Sequence, residues 1–321
     1  MNRLCTRPRT LGCVRALSFG VLLSPLLVVA AGCGGSSKPA ATSASSPFAY
    51  DSSQPLRFAD RGRVNNRYPI AIDDVAYTAG GDRINAFLVL PPGGGKRRPA
   101  VVFVHGSGGD RQQLLVPATW LAARHAVGLV ITEPSSAAPA ASGGSAVAEL
   151  RRQARLEERD VVAVRRGIDL LRSRSDVDPS RIGYVGWSAG ARTGAIVAGV
   201  EPRLRTVVLM SGGATPISAY AAKAPTSLRP AIRRYLAPVD PLRYVPRASA
   251  SGLLLQDGRK DQVVPRSALE AMAHAAPRGT TVRWYAADHG LNPKAYHDQL
   301  VWLAQKLGLT GTPVKGTLTG P

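Results

Sequence analysis

Residues 181–199 read RIGYVGWSAGARTGAIVAG. Arg181–Trp187 has the short apolar character of a strand buried on both faces, and Ala189–Gly199 reads as a helix. Between them stands Gly186-Trp187-Ser188-Ala189-Gly190. A strand that turns directly into a helix makes a sharp, strained bend. Bulky side chains two residues either side of Ser188 would collide with neighbouring backbone, and glycine at both places avoids this. Ser188 then projects at the carboxyl end of the strand, with the helix N-terminus beneath it. Such a five-residue run arises by chance in a Gly-rich chain, but a strand before it and a helix after it are the context a nucleophilic serine needs.

The neighbouring sequence alternates in the same way. Ile70–Thr78 and Ile84–Leu90 read as strands joined by a hairpin turn at Ala79-Gly80-Gly81-Asp82. Ala100–Val104, Val127–Thr132, Thr206–Met210, Gly252–Gln256 and Thr281–Ala286 read as further strands. Helical spacing is expected over Gln112–Ala126, Glu149–Leu171, Ser267–Ala275 and Pro293–Leu307, with Asp178-Pro179 closing the second of these. Two antiparallel strands followed by alternating strand and helix imply a doubly wound, mostly parallel α/β sheet of about eight strands. Gly213–Pro238 interrupts the alternation and reads either as a small helical cap or as a crossover with a long loop.

A serine hydroxyl is a poor nucleophile until a base takes its proton, and a carboxylate must then hold that base in the right tautomer. Five histidines are available. His274 and His297 fall inside expected helices, and His105 reads as a structural residue that shapes its loop. His289, in Ala287-Asp288-His289-Gly290 directly after the last strand, sits on a loop able to reach Ser188. The acid should follow the preceding strand. Asp261, before Val263-Val264-Pro265, is preferred over Asp257, which suits a turn, and over Asp288, which adjoins the histidine too closely. His105-Gly106-Ser107-Gly108-Gly109 follows Ala100–Val104. A loop there supplies one backbone donor for an oxyanion, beside the Ala189 N–H; Gly106 or Ser107 is the expected source.

From about Ile70 to Leu307 the chain resembles the α/β-hydrolases, in the dienelactone hydrolase and prolyl-oligopeptidase-like branch. The resemblance is carried by Val104–Gly109, Gly186–Gly190, Asp261 before Val263-Val264-Pro265, and Asp288-His289. It implies the α/β-hydrolase fold, a covalent acyl-enzyme, a small-molecule ester or peptide substrate, and neither a metal nor an organic cofactor. Dienelactone hydrolases proper use cysteine where this chain has Ser188, so their lactone activity is not expected. The reading is a serine hydrolase of carboxylic esters, with Ser188, Asp261 and His289 as triad. A peptidase or amidase, and a non-catalytic envelope lipoprotein that binds, are the alternatives.

The ends differ from the middle. Arg3, Arg7, Arg9 and Arg15 precede the apolar stretch Leu17–Ala31, which is too short for a comfortable membrane span and is interrupted by Pro25. Residues 1–32 therefore read as a signal peptide. Ala30-Ala31-Gly32-Cys33 resembles the lipobox of bacterial lipoproteins, which implies lipidation of Cys33 and a membrane-anchored protein facing outside; plain secretion is the alternative. Residues 33–66 are expected to be a flexible tether, rich in Ser, Ala, Gly and Pro up to about Gln54; 67–309 form the folded domain and 310–321 a disordered tail. The three cysteines are Cys5, Cys13 and Cys33, so the mature domain holds no disulfide. The net charge of +20 comes largely from scattered arginines with few tight clusters, Lys96-Arg97-Arg98 and Arg151-Arg152 being short, a pattern that gives no expectation of nucleic-acid binding.

Overall fold

The computed structural model describes residues 46–64, 70–93, 97–139, 143–248 and 252–309. The expected signal peptide, Cys33 and the tail 310–321 lie outside the described residues. Within them the strands are β1 (Ala59–Arg63), β2 (Ala71–Ala79), β3 (Asp82–Leu90), β4 (Arg98–Val104), β5 (Val127–Ile131), β6 (Val177–Trp187), β7 (Leu204–Met210), β8 (Leu253–Gly258) and β9 (Thr281–Tyr285). The helices are α1 (Leu115–Ala122), α2 (Pro134–Ala137), α3 (Ala146–Ser173), α4 (Ala189–Val200), α5 (Ile217–Lys223), α6 (Arg229–Leu236), α7 (Pro241–Tyr244), α8 (Arg266–Ala275) and α9 (Pro293–Leu307).

The strands form one sheet in the order β1-β2-β3-β5-β4-β6-β7-β8-β9. β1, β2, β3 and β5 pair antiparallel in succession, and every pair from β5·β4 to β8·β9 is parallel. The hairpin falls at the expected turn: Ala79 pairs with Asp82, and Gly80 and Gly81 both take positive φ, 55° and 93°, the conformation a two-residue hairpin loop requires. Along β4 the side chains alternate between two cores. Ala100, Val102 and Val104 join the layer that holds α3 and α4; Val101 and Phe103 join the layer that holds α1 and α9. A strand covered on both faces has no polar side to show, which is why it reads as an unbroken apolar run.

This topology makes the site. The chain leaves β4 to form α1 on one face, and leaves β6 to form α4 on the other. The loops after two adjacent strands therefore diverge, and a crevice opens between them at the carboxyl edge of the sheet. Both Ser107 and Ser188 stand there.

The sheet has nine strands among the described residues, close to the expected eight, the additional one being β1 at its edge. Three expectations need correction. The expected tether to residue 66 is shorter: Phe48 is wholly buried, and Arg165 and Arg166 of α3 donate to the carbonyls of Phe48, Ser52 and Gln54. The side chains that hold this segment lie more than a hundred residues away, so its own polar composition does not reveal them. α1 is shorter than Gln112–Ala126 because Asp110 accepts the Gln112 N–H in a turn that delays the helix. Finally, Asp178-Pro179 does not close α3, which ends at Ser173; it lies within β6, where a register irregularity between Val177 and Ile182 takes up the extra residues.

Between β7 and β8 the interrupting segment is helical. Ala221 of α5 and Ile232 and Leu236 of α6 bury their apolar side chains with Leu150 of α3. Ile217, Tyr220 and Leu236 line the cavity above Ser188, so this segment is a small cap.

Candidate active site

Ser188 has φ 56° and ψ −111°, a conformation that an L-residue with a side chain rarely takes. Its N–H is bonded to the Met210 carbonyl of β7, and the flanking glycines make the bend physically possible. A Cβ on Gly186 would run into the Gly190 carbonyl, and one on Gly190 into the carbonyls of Val104 and His105.

The Ser188 Oγ lies 2.9 Å from His289 Nε2, and His289 Nδ1 lies 2.8 Å from Asp261 Oδ2. A carboxylate can only accept, so Nδ1 carries the proton and Nε2 is left to accept from the serine hydroxyl. Asp261 is positioned by its own loop: its Oδ1 accepts the N–H groups of Val263 and Val264 at 2.8 and 2.9 Å. His289 is fixed through its carbonyl, which accepts from Trp187 Nε1 at 3.0 Å and from Ser211 Oγ at 2.9 Å. The Trp187 ring also packs against the imidazole, with centroids 5.1 Å apart. Gly258 lets the two loops approach, since a Cβ there would meet the Ala287 and Asp288 carbonyls.

The other candidates lie elsewhere. His274 and His297 are within α8 and α9. Asp288 turns back to accept the Gly290 N–H. Asp257 is buried at the end of β8, where burial and the nearby Asp261 push its carboxyl up to about 7. His105 is completely buried. Its Nδ1 is 2.7 Å from the Gly106 carbonyl and its Nε2 accepts the Glu133 N–H at 3.1 Å. Both ring nitrogens are thus used to shape the loop, and burial lowers its basicity.

Of the two expected loop amides, the structure separates one from the other. The Gly106 N–H donates to Gln113 Oε1 at 2.8 Å, so it is not available to a ligand. Ser107, by contrast, lines the crevice with Ser188 and Ala189, and its N–H has no partner among the described residues. The Ala189 N–H opens α4 and has no carbonyl one turn earlier to bond. The expected role of Gly106 therefore passes to spacing: a Cβ on it would lie 2.8 Å from the Trp187 ring. The parts played by Gln113, Ser211 and the Trp187 indole are not visible in the sequence. Their contacts join residues 7, 78 and 102 positions apart, which no local pattern signals.

The crevice continues into a cavity of about 390 Å³, walled by cap residues and by Val263 and Val264 next to Asp261. Among the described residues no group of three or more His, Cys, Asp or Glu side chains is placed to hold a metal ion.

No family model matches the chain, and no curated protein matches it. Solved structures do. An acetyl xylan esterase from Paenibacillus sp. R4 superposes with a TM-score of 0.67 at 21% identity, over 79% of this chain and 90% of that one. Acetyl xylan esterase 1 from Thermoanaerobacterium sp. JW/SL YS485 gives 0.61 at 18% identity, over 79% and 88%. A puromycin-hydrolyzing peptidase from Mycobacterium tuberculosis gives 0.56 at 18% identity, over 77% of this chain but 46% of the peptidase. At such identities the likeness is one of architecture, and it agrees with the strand order and the strand–Ser188–helix bend: the chain has the α/β-hydrolase fold.

Proposed function

We propose that the protein is a serine hydrolase that cleaves a carboxylic ester of a small substrate through an acyl-enzyme. One observation carries this reading: the unbroken hydrogen-bonded line from Ser188 Oγ through His289 to Asp261, beside the free N–H groups of Ala189 and Ser107. A scaffold protein gains nothing from a serine in a strained conformation with its hydroxyl aimed at an oriented imidazole.

In the proposed reaction Ser188 Oγ attacks the carbonyl carbon while His289 Nε2 takes the hydroxyl proton. Asp261 stabilises the imidazolium that results. The carbonyl oxygen becomes an oxyanion and is met by the two free N–H groups, which need not reorganise as charge develops. The C–O bond to the leaving group breaks, and His289 returns the proton to the departing alcohol. Water, deprotonated by His289, then attacks the acyl-enzyme and releases the acid. Acetyl xylan esterases among the structural neighbours support an ester as substrate, and the peptidase supports an amide as the competing bond. Export and anchoring through a lipid on Cys33 belong to the same proposal and rest on the amino-terminal sequence.

The test is labelling by a fluorophosphonate probe. Folded protein should be labelled, and Ser188→Ala and heat-denatured protein should not. Folded protein that resists labelling would overturn the reading in favour of a binding role for the fold. Matched ester and anilide substrates would then decide between esterase and amidase.

A further inference from the structure

The proposed chemistry leaves one charged side chain of the cavity without a task. Arg192 stands one turn after Ser188 on α4, its N–H bonded to the Ser188 carbonyl at 3.2 Å. Its side chain lines the same cavity as Ser107, Ser188 and Ala189. Arg192 Nε is buried without a hydrogen-bond partner, and its guanidinium forms no ion pair among the described residues. Other half-buried arginines behave differently: Arg165 and Arg203 pair with Glu201, and Arg111 with Asp74. A buried guanidinium N–H left without a partner is unfavourable, and a guanidinium that faces a cavity without an ion pair is open to an incoming acceptor.

Two carboxyls share this cavity with Arg192, and both already have partners. Glu157 accepts from the Thr193 hydroxyl at 3.4 Å, and Asp240 accepts the Leu242 N–H at the start of α7 at 3.0 Å. Burial raises both carboxyls in spite of the attraction of Arg192, which weakens them further as competitors for its charge. Much of the remaining wall is apolar, including Ile217, Leu236 and Val263, and so suits a carbon chain.

We infer that Arg192 is the anion-recognising group of this cavity, and that the substrate carries a carboxylate a few bonds from its scissile carbonyl. Planar carboxylate and planar guanidinium meet through two parallel hydrogen bonds, which would fix both the reach and the orientation of the substrate. The class is a half-ester of a dicarboxylic acid, or an ester whose alcohol part bears the carboxylate. The inference rests on the Ser188 reading for its chemistry, but not for its binding.

The experiment compares matched pairs: p-nitrophenyl hydrogen glutarate against p-nitrophenyl valerate, and 4-acetoxybenzoate against 4-acetoxybenzamide. The ratio of kcat/KM, charged over neutral, is measured for wild type, Arg192→Gln and Arg192→Lys. A general loss of activity cancels in the ratio. In at least one pair it should fall about 10- to 100-fold in Arg192→Gln, as for loss of a charge-assisted hydrogen bond, and be partly restored in Arg192→Lys. A ratio that Arg192→Gln leaves unchanged in both pairs would overturn the inference. The same compounds are also titrated calorimetrically into Ser188→Ala protein, with and without Arg192→Gln. If no ester is turned over and no serine is labelled, the Ser188 reading fails. Preferential carboxylate binding that depends on Arg192 would still sustain the inference, and its absence would end it.

Discussion

Asp261 Oδ2 meets His289 Nδ1 at 2.8 Å while the other oxygen of the same carboxylate is held by the Val263 and Val264 amides. The carboxylate is thus aimed by its own backbone, not by the histidine. Asp261→Asn would keep the loop's hydrogen bonds through the amide oxygen but present an N–H to Nδ1, favouring the wrong imidazole tautomer. We expect kcat to fall about 10³- to 10⁴-fold with little change in melting temperature. Steady-state kinetics with thermal unfolding would check this, and a loss below tenfold would move the role to another carboxyl.

Ser211 should act on the rate without touching substrate. Its hydroxyl and the Trp187 indole together hold the His289 carbonyl. Ser211→Ala leaves only the indole. The expected result is a kcat reduced several-fold with KM unchanged, and a stability loss of about 1 kcal/mol. A changed KM with unchanged kcat would place Ser211 in substrate binding instead.

The segment from residue 46 to β1 should be part of the stable domain. Phe48 is fully buried and packs edge-on against Tyr244, with centroids 5.1 Å apart. Phe48→Ala should cost about 3–5 kcal/mol in urea unfolding. A loss under 1 kcal/mol would show that the segment is dispensable.

One contribution to the pH dependence of stability comes from Asp257, whose carboxyl is pushed up to about 7 by burial and by Asp261. In the unfolded chain an aspartate titrates near pH 3.9. Between about pH 4 and 7 the folded state therefore keeps a proton that the unfolded state has released. Stability contributed by this group falls as pH rises through that window and is fully lost above it. Asp257→Asn, neutral throughout, should be more stable than wild type at pH 8 by about 2–4 kcal/mol, with the gap closing toward pH 4. A gap that does not vary with pH would refute this origin. Activity should be followed in parallel, because the substitution also removes a potential negative charge beside Asp261.

Legibility in the sequence followed the range of the physical constraint. The turn at Gly80-Gly81 and the bend at Gly186–Gly190 are demanded by backbone conformation within a few residues, so residue type alone discloses them. The buried parallel strands are equally open, since a strand covered on both faces tolerates little but apolar side chains. β1 was hidden because its residues, ADRGR, are mostly exposed and carry no apolar alternation. It exists through pairing with β2, a relation between segments.

The site divides along the same line. Ser188 and His289 could be named from sequence alone, because each follows a strand and stands in a loop that only certain residues can form. Sequence alone also limited the expected loop amide to Gly106 or Ser107. Tertiary structure distinguishes the two, because Gln113 folds back and occupies the Gly106 N–H. It likewise decided that Arg192, one arginine among 34, stands in the cavity beside Ser188 with its buried Nε unbonded and no ion pair among the described residues. A residue's own conformational demand travels with it along the chain; which donors stay free depends on every group that the fold brings within reach.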